Sequence, residues 1–233
     1  MVVPTMSTQQ DPQLYTQFAK AVEQIRSAKG LIVDIRNNEG GGMWHGAWFA
    51  QHFYTSVQEP LEFRGLKNVG SRLLKTDVIP GDAFPHVKLS NPSRSSSFTP
   101  WYTFQMRPLQ PHIAIPTAVL INGWNASAAE NFIAFMQVAK NVKTFGSRTM
   151  GADGSPVSFA VMKGVRVEVS SWQDRIRATG LPIEGVGIQP EVPVTTSYGE
   201  FLNELQAANH GQYAIQYDAA LQTALHWLHS RIH

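Results

Sequence analysis

Apolar residues recur at Leu14, Phe18, Val22 and Ile25, the spacing that lays one stripe along a helix. Asp11-Pro12 stands just before them, an acidic cap followed by a proline fit for a first helical turn, and Gly30 marks the end. The pattern then changes. Leu31-Ile32-Val33-Asp34-Ile35-Arg36 is a nearly continuous apolar run, as expected of a strand buried on both faces, and it runs into Asn37-Asn38-Glu39-Gly40-Gly41-Gly42. Met43 to Phe53 can form a helix. Thr117 to Ile121 is a second buried strand, which meets Asn122-Gly123-Trp124-Asn125 and a helical stretch from Ser127 to Lys140.

Further strands are expected over Val142–Phe145, Val157–Met162 and Val165–Ser170, the last two joined at Lys163-Gly164 as a hairpin. Helices are expected over Glu200–Ala208 and Asp218–Ser230. Between residues 59 and 116 prolines, serines and scattered aromatics show little period, which reads as an irregular surface excursion with short strands. This alternation predicts an α/β fold with parallel pairing, in one domain over 1–233. Such folds keep their sites at the carboxyl ends of the strands, here the glycine loop and the turn before Ser127.

Composition narrows the function. With 43% hydrophobic and 15% charged residues the chain reads as globular. A net charge of +2, without Lys/Arg runs interleaved with aromatics, argues against nucleic acid. No apolar run approaches the roughly 20 residues needed to span a bilayer. The lack of cysteine removes thiol chemistry but fits secreted, periplasmic and cytosolic proteins alike, the first two being favoured. No His/carboxylate spacing suits zinc and no glycine loop precedes a Lys-Ser or Lys-Thr pair, so no cofactor is expected. Val2 and Val3 suit a strand but have no preceding partner, so Met1 reads as an entry into the middle of a domain, with the natural N-terminal region missing.

Ser127 opens a helix, where backbone N–H groups and the helix dipole favour an oxyanion. Its plain alternative is a side-chain N-cap. Three further segments bear on that choice: Gly30 to Gly41; Phe145-Gly146-Ser147-Arg148-Thr149-Met150-Gly151; and Ile183-Glu184-Gly185-Val186-Gly187-Ile188-Gln189-Pro190-Glu191-Val192. Together with Ala118–Asn122 and Asn125-Ala126-Ser127-Ala128-Ala129-Glu130, they resemble, in order, the family of tricorn and C-terminal processing peptidases. Asp218 to Leu228 resembles its closing helix.

The resemblance implies a Clp protease/crotonase-like spiral of β-β-α units. It also implies a serine peptidase forming an acyl-enzyme on Ser127, with Ala128 and Gly41 or its neighbour Gly40 forming the oxyanion hole. A lysine base follows the Thr-x-Gly segment in the Ser-Lys branch, but Ala152 stands there. Glu184 matches the glutamate of the tricorn-like branch, whose histidine comes from a region with no counterpart here. His45, beside the glycine loop, is the nearest candidate base; His52, His86 and His112 have weaker claims, and His226, His229 and His233 read as a solvated helix end. Polypeptide is the substrate the family implies, with small esters an alternative for the same site and a catalytically silent peptide-binding module the reading from another class. The oligomeric state is not legible.

Overall fold

The computed structural model describes residues 1–66, 87–89, 98–195, 197–199, 202 and 218–232. The helix α1 spans Leu14–Ile25 and buries the predicted stripe, Leu14, Phe18, Val22 and Ile25. Asp11 holds its entry: the Gln13 amide donates to Asp11 Oδ1. Strand β1 (Leu31–Asp34) leads through the glycine loop to helix α2 (Met43–Gln51), and β2 follows at Leu61–Gly65. Next come β3 (Val87–Leu89), β4 (Tyr102–Phe104) and β5 (Thr117–Ile121), then helix α3 (Ala128–Gln137) and β6 (Val142–Gly146). The hairpin of β7 (Pro156–Met162) and β8 (Val165–Ser170) precedes β9 (Trp172–Ile176), β10 (Val192–Pro193) and helix α4 (Ala219–Ile232).

A parallel sheet runs in the order β1-β5-β6-β10. All five residues of β5 are buried, and they alternate between two cores. Val119 and Ile121 face the large core of α1, α2 and α3, whereas Ala118 and Leu120 face Phe145 and the α4 residues Ala224 and Leu228. Burial on both faces explains why this strand reads as an unbroken apolar run. Val2 does find a strand partner, in β1: it bridges Asp34, and the Val3 amide donates to Asp34 O.

The described part of 59–116 holds the expected short strands, β2, β3 and β4, joined with β9 in an antiparallel sheet ordered β3-β4-β2-β9. What departs from expectation is their depth, since Leu61 and Phe63 of β2, Tyr102 and Phe104 of β4, and Met106 are buried. β2 pairs with β9, more than a hundred residues away, so no local pattern announces it. The expected helix over Glu200–Ala208 lies outside the described residues, as do His86 and His233.

Arg36 ties the closing helix to the sheet. Its guanidinium bonds Asp34 (2.6 Å) and Asp218 (2.7 Å), and Asp218 Oδ1 in turn accepts the Leu221 amide in the first turn of α4. Burial disfavours the guanidinium charge, but the bonds to the two carboxylates outweigh it and hold the group protonated. Arg36→Ala therefore removes the cation shared by two carboxylates, one of them buried, and urea denaturation is expected to show a loss of about 3 kcal/mol.

Candidate active site

The carboxyl ends of β1 and β5 lie side by side, with Asp34 opposite Leu120, so the turns that follow them meet. Four asparagines lock those turns together. Asn125, fully buried, donates from Nδ2 to Ile35 O (2.5 Å) and Asn38 O (3.3 Å) and accepts the Asn122 amide at Oδ1. Asn38, also fully buried, donates to Val3 O and accepts the Gly40 amide. Asn122 and Asn37 exchange hydrogen bonds across the two turns. With its amide nitrogen spent on two carbonyls in the core, Asn125 is not an exposed glycosylation acceptor, although Asn125-Ala126-Ser127 matches the pattern.

The lock brings the glycine loop onto Ser127. A methyl group placed on Gly40 would sit 2.7 Å from Ser127 Cβ and 3.0 Å from the Ala128 nitrogen, so only glycine fits. Gly40 and Gly41 have φ of 105° and 134°, which side chains rarely tolerate. Met6 gives its N–H to Gly40 O and accepts the Gly42 amide, leaving Gly41's own N–H turned away from that pairing. The Gly40 N–H is already taken by Asn38 Oδ1, whereas those of Gly41 and Ala128 have no partner among the described residues. The two glycines, equivalent in the sequence, thus differ: the Gly40 N–H donates to Asn38, and that of Gly41 to no described residue.

Ser127 is not a conventional N-cap. It makes no side-chain cap bond, and its φ of 54° with ψ of −131° is the conformation of the first central residue of a II′ turn, normally held by glycine. A strained serine between a buried strand and a helix is the geometry of a nucleophile elbow.

Behind the turn lies Glu130, on α3 and fully buried. Its Oε1 accepts from the Thr149 hydroxyl and the Gly151 amide, and its Oε2 from the Ala152 amide. Burial pushes this carboxyl above its usual range, and the hydrogen bonds oppose the shift. The loop so held presents Ala152 O to the Ser127 amide at 2.8 Å.

Glu184, on the separate turn that follows Ile183, binds that loop one residue further on. Its Oε2 accepts the Asp153 amide at 2.6 Å and its Oε1 the Ser170 hydroxyl at 2.8 Å. Gly154 makes the room, since a Cβ there would fall 2.8 Å from Glu184 Oε1. Glu184 and Ser127 are thus joined through Ala152 and Asp153, but no histidine among the described residues bonds either. His45 lies against Gly42, with Nδ1 buried and without a hydrogen-bond partner. His52 is buried on Trp48 and bonded at Nδ1 to Pro111 O, and His112 bonds His52 O. His226 and His229 lie on α4. Among the described residues no cluster of acidic and histidine side chains is arranged to hold a metal, and no helix is long and apolar enough to cross a membrane.

Solved structures share this fold. CPAF in complex with lactacystin superposes with a TM-score of 0.69 at 18% identity over 98% of this chain and 52% of that one. The photosystem II D1 C-terminal processing protease gives 0.53 at 20%, covering 83% and 41%, and the tricorn protease 0.52 at 17%, covering 98% and 18%. The chain thus spans about half or less of the length of these three. No curated protein matches it in sequence. The profile of peptidase family S41 matches residues 1–194, and the chain belongs to that family.

Proposed function

We propose that this chain carries the nucleophile, oxyanion hole and orienting carboxylate of a serine peptidase that cleaves polypeptides through an acyl-enzyme on Ser127. The observation that carries the reading is the strained Ser127 backbone packed against Gly40 and the Ala128 amide, where the N–H groups of Ala128 and of the adjoining Gly41 have no partner among the described residues. The Ser127 hydroxyl attacks the scissile carbonyl, and the oxygen of the tetrahedral intermediate lies between those two N–H groups, in hydrogen bonds of about 3 Å. Gly40 acts by close packing, its own N–H being engaged by Asn38. Glu184 orients the base.

A serine hydroxyl needs a base to take its proton, and later to return it to the leaving amine. Ala152 supplies none. Of the described histidines His45 starts nearest the glycine loop, yet it bonds neither Ser127 nor Glu184. The chain by itself is therefore expected to react slowly, at the level that an oxyanion hole without its base sustains.

A fluorophosphonate probe is expected to label Ser127, and Ser127→Ala to abolish labelling; a labelled protein with Ser127 unmodified would refute the assignment. Loss of labelling in His45→Ala would make His45 the base, and an unchanged slow rate is expected. Comparing nitrophenyl esters with an unstructured polypeptide separates peptidase from esterase.

Gly40→Ala drives a methyl group into Ser127 Cβ and is expected to slow labelling roughly 10²–10³-fold, the cost of one lost oxyanion donor. A melting curve checks that the variant remains folded. Labelling at the wild-type rate would place the oxyanion elsewhere.

A further inference from the structure

Asp153 and Asp174 form a buried acidic pair, 5% and 1% exposed. Sequence reasoning assigned them nothing. Asp153 is in the loop that bears Ala152, and Asp174 is on β9 opposite Phe63, pointing into the core. Their carboxyls converge on one nitrogen. A single amide group serves both: Asn131 Nδ2, on α3, donates to Asp153 Oδ2 at 2.5 Å and to Asp174 Oδ2 at 2.8 Å. Asp174 Oδ1 is sealed from solvent without a hydrogen-bond partner of standard geometry.

Two ionised carboxylates in such a place would repel across a few ångströms of low-dielectric interior. Of the other titratable groups, Glu130 on α3 raises both carboxyls further, while Glu184 bonds only the Asp153 amide and Tyr102 on β4 feels the Asp174 charge; the Asn131 amide and the Trp172 indole favour the charged form, but burial outweighs them. No lysine or arginine among the described residues offsets the pair. One proton between the two carboxyls removes a charge and supplies the missing donor. Its loss has a direct path to the site, because Asp153 is bonded through its amide to Glu184 and follows the Ala152 carbonyl that holds the Ser127 amide.

We infer that Asp153 and Asp174 hold one proton in common and serve as positioning residues, fixing the loop from Thr149 to Gly154 against α3 so that Ser127 and Glu184 keep their places. The positioning role rests on the hydrolase reading above; the shared proton does not. Burial is the main cause that raises both carboxyls, Asp174 to about 7. The folded protein then binds more protons than the unfolded chain between the ordinary carboxylate range, about 4, and about 7. Stability from this pair is full below that window and falls as pH rises through it.

The test compares thermal unfolding of the wild type, Asp174→Asn and Asp153→Asn between pH 5 and 8. The wild-type melting temperature is expected to fall across this range, and each variant to lose most of that fall. Glu130, present in all three, adds a fall of its own to each profile, so the difference between the profiles reports the pair. Parallel profiles in the three proteins overturn the shared proton. Infrared spectra of wild type labelled with ¹³C-aspartate decide the matter should both variants fail to fold. A protonated carboxyl band at pH 6 that disappears by pH 8 supports the pair, and its absence at pH 6 overturns it.

Amide hydrogen exchange tests the positioning. After correction for the intrinsic rate, protection of the Ser127 and Asp153 amides is expected to drop as the proton leaves in the wild type; protection that ignores pH refutes it. Should the pH-dependent protection appear while a fluorophosphonate never labels Ser127, the hydrolase reading fails alone.

Discussion

A carboxylate sealed in a protein interior must be surrounded by donors, and Glu130 meets that demand with a hydroxyl and two amides from one short loop. The architecture around Ser127 follows from this requirement. Once α3 carries Glu130 into the core, the segment Thr149–Ala152 has to lie along it. Ala152 O is then available to the Ser127 amide, and the Thr149 hydroxyl accepts the Ile188 amide, which fixes the segment carrying Glu184. Removing the carboxylate would leave those donors unsatisfied in a place water does not reach.

The asparagines do for the front of the site what Glu130 does for the back. Parallel strands deliver two turns to the same edge, but strand pairing ends before the turns begin, and the backbone groups there have no ladder to join. Asn38 and Asn125 fill that gap with side-chain amides, each offering donors and an acceptor in a small rigid group. The glycine loop is thereby held firmly enough that Gly40 touches Ser127 with no room for a methyl group.

Much of this was legible in the chain. β5, buried on both faces, and β1, buried on one face and half-buried on the other, announce themselves as apolar runs; the glycine loop and the turn to Ser127 follow them. Glu130 and Asn125 lie inside quoted motifs, yet their roles were not legible, because a buried polar residue looks the same in sequence as an exposed one. Asp153 and Asp174 are harder still. They stand 21 residues apart, one in a loop and one on a strand whose partner β2 lies more than a hundred residues earlier, and only the assembled core brings them together. The antiparallel sheet escaped for the same reason: β2 is five residues long and its alternation, Leu61 and Phe63 in, Glu62 and Arg64 out, is too brief to outweigh the prolines and serines that follow.

The backbone of Ser127 sets this chain's fold and its chemistry against each other. At φ of 54° and ψ of −131° a serine costs on the order of 1–3 kcal/mol that a glycine would largely avoid. A population of random variants screened only for heat resistance would accumulate glycine at this position, improving as a folded object while losing its hydroxyl. On the proposed reading the hydroxyl is what that strain accompanies, so laboratory stabilisation of this chain has to hold position 127 fixed and seek its gains elsewhere.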